Sequence, residues 1–141
     1  MSTPKTSLEL FRLKKTLNTL ASKEGRGTEL VSLYVPTGKQ ISEVISMLRD
    51  EYGTASNIKS TTTRKNVMDA IVKVQQRLKL FKDPGENGIV IFCGAIPQEG
   101  GGPGSERMET YVIVPPEPIK IYLYRCDSRF HTEHLLEMLR E

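Results

Sequence analysis

Tryptophan is absent from the 141 residues, and aromatic side chains account for only 6% of them. Proteins that bind single-stranded nucleic acid without sequence preference depend on aromatic platforms on which bases stack. The composition therefore argues against a generic single-strand RNA-binding module. Cysteine is also scarce. Cys93 and Cys126 have no Cys-x-x-Cys spacing, which argues against a disulfide framework and favours a reducing, cytoplasmic environment.

Long apolar runs are lacking as well. The longest, GIVIFCGAI at 88–96, has nine residues, whereas a membrane-spanning helix needs about 20. The first residues, MSTPKTSLELFRLKK, have neither the continuous apolar core nor the small-residue cleavage site of a signal peptide. The sequence therefore predicts a cytoplasmic protein without a membrane partner.

The charge of the chain is small overall but concentrated in one region. The net charge is +3, yet residues 59–82 carry seven Lys or Arg and a single acid, Asp69. Such a basic block favours a polyanionic partner, and a solvated helix face is the alternative. The length of 141 residues fits one domain with one core.

Hydrophobic spacing predicts the elements of the first part of the chain. Leucines at helical spacing indicate a helix over 5–22, and the run 29–36, which ends in proline, indicates a strand. Thr37 and Gln40 have the spacing of a capping box. They predict the start of a second helix, which ends at Gly53.

A third helix begins near Ser60 and is followed by three β-rich runs and a last helix near Phe130. Its apolar stripe is the strongest periodic signal of the chain and consists of Val67, Ile71, Val74, Leu78 and Phe81. The order αβααβββα predicts an α+β fold in which helices cover a mostly antiparallel four-stranded sheet. Because the predicted last helix runs to Glu141, we expect the chain to end between two domains, and a frayed natural end is the alternative.

The glycine-rich stretch PQEGGGPGS, at 97–105, resembles a phosphate-binding loop in composition. That chemistry requires a strand, the loop and then a helix N-terminus, usually with a lysine. Here the stretch joins two predicted strands and contains no lysine. We interpret it as a mobile hairpin loop.

Four side chains could ligate a soft metal: Cys93, Cys126, His131 and His134. Structural zinc sites normally use a short paired spacing at each end, and Cys93 comes alone from another strand. A Cys126–His131 nucleophile pair has no obvious Asp or Asn to orient the imidazole. We therefore predict no metal and no cofactor, and a thiol or metal hydrolase is the enzyme alternative.

The segment TASNIKS, at 54–60, has side chains that an ordinary turn does not need. Asn57 offers a donor and an acceptor side by side, which match the Watson–Crick edge of uracil. Lys59 is a flexible cation, and Ser60 lies at a predicted helix N-terminus that favours phosphate. The corner could therefore hold one pyrimidine nucleotide of a single strand. Asn and Ser are also common turn and capping residues, which is the alternative.

Two motifs carry a resemblance to a known family. Asn57-Ile58-Lys59-Ser60 matches the Asn-Ile-Lys-Ser motif, and YRCDSRF, at 124–130, matches a Tyr-x-Cys-x-x-x-Phe motif. Together they resemble the N-terminal domain of the class-one translation termination factors of archaea and eukaryotes. GRGTEL resembles the Gly-Thr-Ser element of that family through Gly27 and Thr28, although Glu29 replaces the serine.

The resemblance implies that the chain, residues 1–141, is a single domain that recognises mRNA stop codons in the ribosomal A site. Asn57, Lys59 and Ser60, with Ile58 in the same motif, would read the first uridine. The two purines would be examined by Glu51, Tyr124 and Cys126, with Thr28 on the opposite side of the cavity. The implied stop-codon-binding set also includes Phe130 and Gly27, which belong to the matched motifs, and Val67, which would pack nearby.

The family also implies partners and domains outside the 141 residues. The implied partners are the stop codon, the small-subunit rRNA at the decoding centre and, through other domains, a translational GTPase and the peptidyl transferase centre. The hydrolysis-promoting Gly-Gly-Gln loop of the family does not occur in this sequence, so we expect a recognition domain without enzymatic activity. A ribosome-rescue factor, the rival interpretation, should lack the Asn-Ile-Lys-Ser motif.

Overall fold

A computed structural model describes residues 3–102 and 104–140. The elements follow the predicted order αβααβββα. The helices are α1 (Ser7–Ala21), α2 (Ile41–Ala55), α3 (Thr61–Leu78) and α4 (Glu133–Met138). The strands are β1 (Leu30–Val35), β2 (Ile89–Ile96), β3 (Arg107–Ile113) and β4 (Leu123–Asp127). In the described part of the chain, no helix has the length and apolar character needed to cross a membrane.

The four strands form one sheet in the order β3-β2-β1-β4, and every pairing is antiparallel. This confirms the predicted fold class. Helices cover both faces. Val31, Leu33 and Val35 point to a core cluster shared with α2 and α3, whereas Leu30 and Tyr34 point to a second cluster shared with α1 and α4.

The two central strands are buried along their whole length, six residues in β1 and eight in β2. An antiparallel sheet with one solvated face would alternate apolar and polar residues. Because helices cover both faces here, apolar side chains are favoured at almost every position of these strands. This explains the imperfect alternation in the β1 sequence.

The predicted capping box at the start of α2 is wrong. The helix begins at Ile41 and its N-cap is Gln40, which makes no side-chain capping hydrogen bond. Gly38 has a positive φ of 86°, so the chain is still turning where the motif predicts a helix. A capping box does occur before α1, where the Thr6 side chain accepts from the Glu9 amide.

The ends of two helices also differ from the prediction. Gly53 does not end α2, which continues to Ala55 because the Ala55 side chain is buried in the cluster below α2 and α3. The last helix begins at Glu133, three residues after Phe130, whose ring is buried in the core before the helix starts. The start of α3 is confirmed, with Ser60 as its N-cap.

Candidate functional site

The corner between α2 and α3 presents a polar tip on an apolar anchor. The Asn57 and Ile58 amides donate to the Thr54 and Ala55 carbonyls at 3.1 and 3.0 Å, so the chain leaves α2 in a tight turn. Ile58 is half-buried and packs against the core cluster of α2 and α3. The neighbouring side chains of Asn57 and Lys59 are exposed. Burial of Ile58 thus fixes the turn while its polar neighbours face solvent.

The start of α3 completes the corner. The Ser60 hydroxyl oxygen accepts from the Thr63 amide at 3.3 Å, and the Arg64 guanidinium donates to the Ile58 carbonyl at 3.1 Å. The first turn of α3 contains no acidic residue. The partial positive charge of the helix N-terminus is therefore not offset by a carboxylate of its own turn, which favours an electronegative ligand.

Strand β4 contributes a pair of coupled side chains. The Tyr124 hydroxyl and the Cys126 sulfur lie 2.9 Å apart, and either can be the donor. Both side chains are half-buried and pack against the same cluster as Ile58. Burial, assisted by the thiol and the charge of Glu51, raises the pKa of the Tyr124 hydroxyl. Burial also raises the pKa of the Cys126 thiol, so both groups keep their protons at neutral pH.

Glu51 belongs to the last part of α2 and is half-buried. Its negative charge raises the pKa of both Tyr124 and Cys126, after the larger effect of burial. The Glu51 charge therefore acts on both members of the β4 pair. The three side chains together offer one obligate acceptor and two groups that can each donate or accept.

The loop 25–29 closes the same end of the sheet. The Gly25 amide donates to the Ser128 carbonyl just after β4, at 2.7 Å. A Cβ added to Gly27 would lie 3.3 Å from the Thr63 hydroxyl, so glycine allows the loop to approach the first turn of α3. Thr28 is exposed on this loop. The structure therefore brings Thr28 beside the start of α3 and the end of β4.

Two of the predicted site residues lie in the core. Phe130 is only 1% exposed and packs edge-on against Phe92, with ring centroids 5.5 Å apart, in the cluster on the α1 and α4 face. Val67 is 2% exposed beneath α3. In this position Phe130 cannot contact an external ligand, so the prediction that it binds a codon directly is corrected to a packing role. Val67 belongs to the cluster against which Ile58 packs, and its place in the predicted stop-codon-binding set stays a prediction.

Comparisons with known proteins decide the family. A family model described as eRF1 domain 1 matches residues 8–140. The chain belongs to the eRF1 domain 1 family. It is 58% identical over 135 residues to peptide chain release factor subunit 1 of Methanocaldococcus jannaschii, which covers 96% of this chain and 32% of that protein. The protein of the same name from Methanobrevibacter smithii is 56% identical over the same share of each chain.

Solved structures agree with this membership of the eRF1 domain 1 family. One, titled as the crystal structure of the archaeal translation termination factor aRF1, has a TM-score of 0.81 and 35% identity, and covers 97% of this chain and 36% of that one. Another, titled an archaeal protein, has a TM-score of 0.85 and 34% identity, and covers 99% of this chain and 37% of that one. The chain thus spans about a third of the length of these relatives.

Sequence reasoning missed two contacts that shape this eRF1 domain 1 site. The Arg26 guanidinium donates to the Gly101 carbonyl at 3.1 Å, across 75 positions of sequence, and the Asn66 amide donates to Glu29 at 3.0 Å. The first contact ties the glycine-rich hairpin loop to loop 25–29. The one sequence feature that pointed to either contact was Glu29, which replaces the serine of the Gly-Thr-Ser element.

The metal and nucleophile alternatives receive no geometric support. Among the described residues, no group of three or more His, Cys, Asp or Glu side chains could hold a metal ion. Burial raises the pKa of the Cys93 thiol, as it does for Cys126, whereas an activated nucleophile needs a lowered thiol pKa. The His131 Nε2 lies 2.9 Å from the Asp127 carboxylate, so the expectation that no Asp would orient this imidazole is wrong. The Cys126 sulfur, however, is paired with the Tyr124 hydroxyl.

Proposed function

We propose that this chain is the stop-codon recognition domain of a translation termination factor. The observation that carries the proposal is the corner after α2, where exposed Asn57 and Lys59 flank the half-buried anchor Ile58 at the N-terminus of α3. The names of two similar proteins, peptide chain release factor subunit 1 and translation termination factor, support it.

The corner suits the uridine that begins every stop codon. The Asn57 side chain can accept from the uracil N3–H and donate to the adjacent carbonyl, whereas cytosine has a bare acceptor and an amine at those positions. Lys59 supplies a cation for a carbonyl or a phosphate. The Ser60 oxygen already accepts from the Thr63 amide, so its hydroxyl hydrogen remains to be donated to the nucleotide.

Glu51, Tyr124 and Cys126 suit the two purines that follow. A carboxylate accepts from the exocyclic amine of adenine but repels the guanine carbonyl found at the same place. Acceptance of UGA with rejection of UGG therefore requires joint reading of the second and third bases. The Tyr124–Cys126 pair meets this requirement because its 2.9 Å hydrogen bond can run in either direction, so the pair can present a donor to one base and an acceptor to another.

The remainder of the factor performs the other steps of termination in this proposal. The chain spans 32% of the length of its curated relatives and contains no Gly-Gly-Gln. Promotion of peptidyl-tRNA hydrolysis and binding of a translational GTPase belong to the other domains. The recognition domain itself contacts the stop codon and the small-subunit rRNA at the decoding centre of cytoplasmic ribosomes.

The test is codon-dependent peptide release by the complete factor that carries this domain. Asn57→Asp has nearly the same shape but exchanges the amide donor for a second acceptor, so we expect release to fall on UAA, UAG and UGA alike. Asn18→Asp is the matched control, because Asn18 is an exposed asparagine on α1, on the opposite face of the sheet. Unchanged release by Asn57→Asp, or equal losses in both variants, would contradict the proposed contact with the first base.

A further inference from the structure

Loop 25–29 has no regular secondary structure but is held by charged side chains on both sides of Thr28. On one side, Arg26 forms an ion pair with Glu106, with Nε and Oε1 2.9 Å apart. The Glu106 side chain is 5% exposed. Arg26 also donates to the Gly101 carbonyl. The contact is an ion pair only, because the buried Glu106 Oε1 has no hydrogen-bond partner among the described residues. Removing the partly exposed Arg26 would leave this nearly buried carboxylate without its nearby positive charge.

On the other side of Thr28, the Glu29 side chain turns into the protein. Glu29 is 1% exposed, and its Oε2 accepts from the Asn66 amide of α3 at 3.0 Å. Its Oε1 is buried and has no hydrogen-bond partner among the described residues. Burying a carboxylate in this way opposes folding. A buried Glu29 carboxylate is consistent with a function that depends on the position of loop 25–29.

We propose that Arg26 and Glu29 are positioning residues that set the exposed Thr28 against the purine end of the codon cavity, with Glu106 and Asn66 as their anchors. This inference rests on the proposed function. Glu29 stands where the family element has serine, and its inward orientation makes it a clamp to α3 that does not contact a base. The glycine-rich hairpin is thereby linked to loop 25–29 through the hydrogen bond from Arg26 to the Gly101 carbonyl.

If Arg26 and Glu29 position Thr28, replacing either residue should change how the two purines of the codon are recognised. In the complete factor, Glu29→Ala and Arg26→Ala should each change kcat/KM for UAA, UAG and UGA unequally, with relative preference shifting by about tenfold, since small misplacements of a positioning group have effects of this order or larger. Discrimination of UAA from CAA should stay within about twofold, because the first-base corner is anchored separately through Ile58 and Arg64.

Two further variants separate positioning from loss of structure. Glu29→Gln keeps an oxygen that can accept from Asn66 and should retain the wild-type codon preference. Asn66→Ala should reproduce the preference of Glu29→Ala, and the Glu29→Ala, Asn66→Ala double variant should be no worse than either single change. Arg12→Ala, an exposed arginine on α1, is the control for Arg26 and should leave codon preference unchanged.

The outcomes distinguish this inference from the function on which it rests. Equal losses on all three stop codons in an otherwise active factor would overturn the positioning role, as would additive effects of Glu29→Ala and Asn66→Ala. A wild-type complete factor that releases peptide equally at stop and sense codons would overturn the proposed function itself. Unequal purine preference with intact uridine dependence supports both.

Discussion

Tyr124→Phe is the sharpest test of how the purines are read. The substitution keeps the half-buried ring in the cluster of α2 and α3 and removes only the hydroxyl, whose one described hydrogen bond is the 2.9 Å contact with the Cys126 sulfur. Loss of one partly buried hydrogen bond lowers the free energy of unfolding by about 1 kcal/mol. The domain should therefore remain folded, and changes in release can be attributed to the missing hydroxyl.

The expected effect on release is selective. One base contact typically contributes about 1–3 kcal/mol of discrimination, or about 5- to 150-fold in kcat/KM. Release by the complete factor, measured separately on UAA, UAG and UGA, should thus change unequally, while the requirement for the first uridine persists. Without the Tyr124 hydroxyl, the Cys126 thiol loses this hydrogen bond. Tyr124 then no longer determines whether the thiol donates or accepts.

Tyr122→Phe is the matched control for this experiment. Tyr122 precedes β4, and its ring lies 4.5 Å from the Lys39 ammonium, next to the start of α2 and away from Glu51. The same change there should leave release at every codon unaltered. Equal losses on the three stop codons with Tyr124→Phe would refute the reasoning, because they would assign Tyr124 to folding or general docking.

Three further outcomes are expected. Gly94→Ala should lower the free energy of unfolding, measured by urea titration, by about 1–3 kcal/mol, since the added Cβ would lie 2.8 Å from the Glu29 carbonyl just before β1. Gly53→Ala, in open space within α2, should raise the same free energy by about 0.5–1 kcal/mol. Lys59→Ala should weaken release on all three stop codons together by about 1.5–3 kcal/mol, and Lys79→Ala, beyond the far end of α3, should not. Burial raises the pKa of the Cys126 thiol above its ordinary 9.0, so the unfolded chain loses this proton at a lower pH than the folded chain. The free energy of unfolding, measured by urea titration, should therefore fall as the pH rises above 9.0, and it should fall less steeply in Cys126→Ser.

The order of the elements could be predicted because the signals that specify it are local. The stripe from Val67 to Leu78 identifies α3 by spacing alone, and all four of its apolar residues within the helix are buried. The same reasoning failed at Thr37, because a capping box is a short pattern and the turn at Gly38 delays the helix. It also failed at Gly53, where burial of the following Ala55 outweighs the weak helix propensity of glycine.

The site could be predicted only in part, because some of its features are local in sequence and others are not. Its exposed polar residues were found through motif spacing. Its supports depend on tertiary contacts between distant positions, such as Arg26 with Glu106 and Glu29 with Asn66. No periodicity links such pairs, and a single sequence gives no information on which charged residues meet. The inward orientation of Glu29 follows from the packing of its loop on α3, and its residue type alone gave no indication of it.

The place of β4 at the edge of the sheet has a consequence for how this protein can evolve. Among the described strands, β4 pairs only with β1. Tyr124 and Cys126 on β4 are half-buried, whereas β1 and β2 are buried throughout. A substitution on β4 therefore disturbs fewer neighbours than one in the central strands and is less costly to the fold. Under the proposed function, substitutions at Tyr124 and Cys126 could therefore change codon preference one at a time, while the buried central strands keep the fold stable.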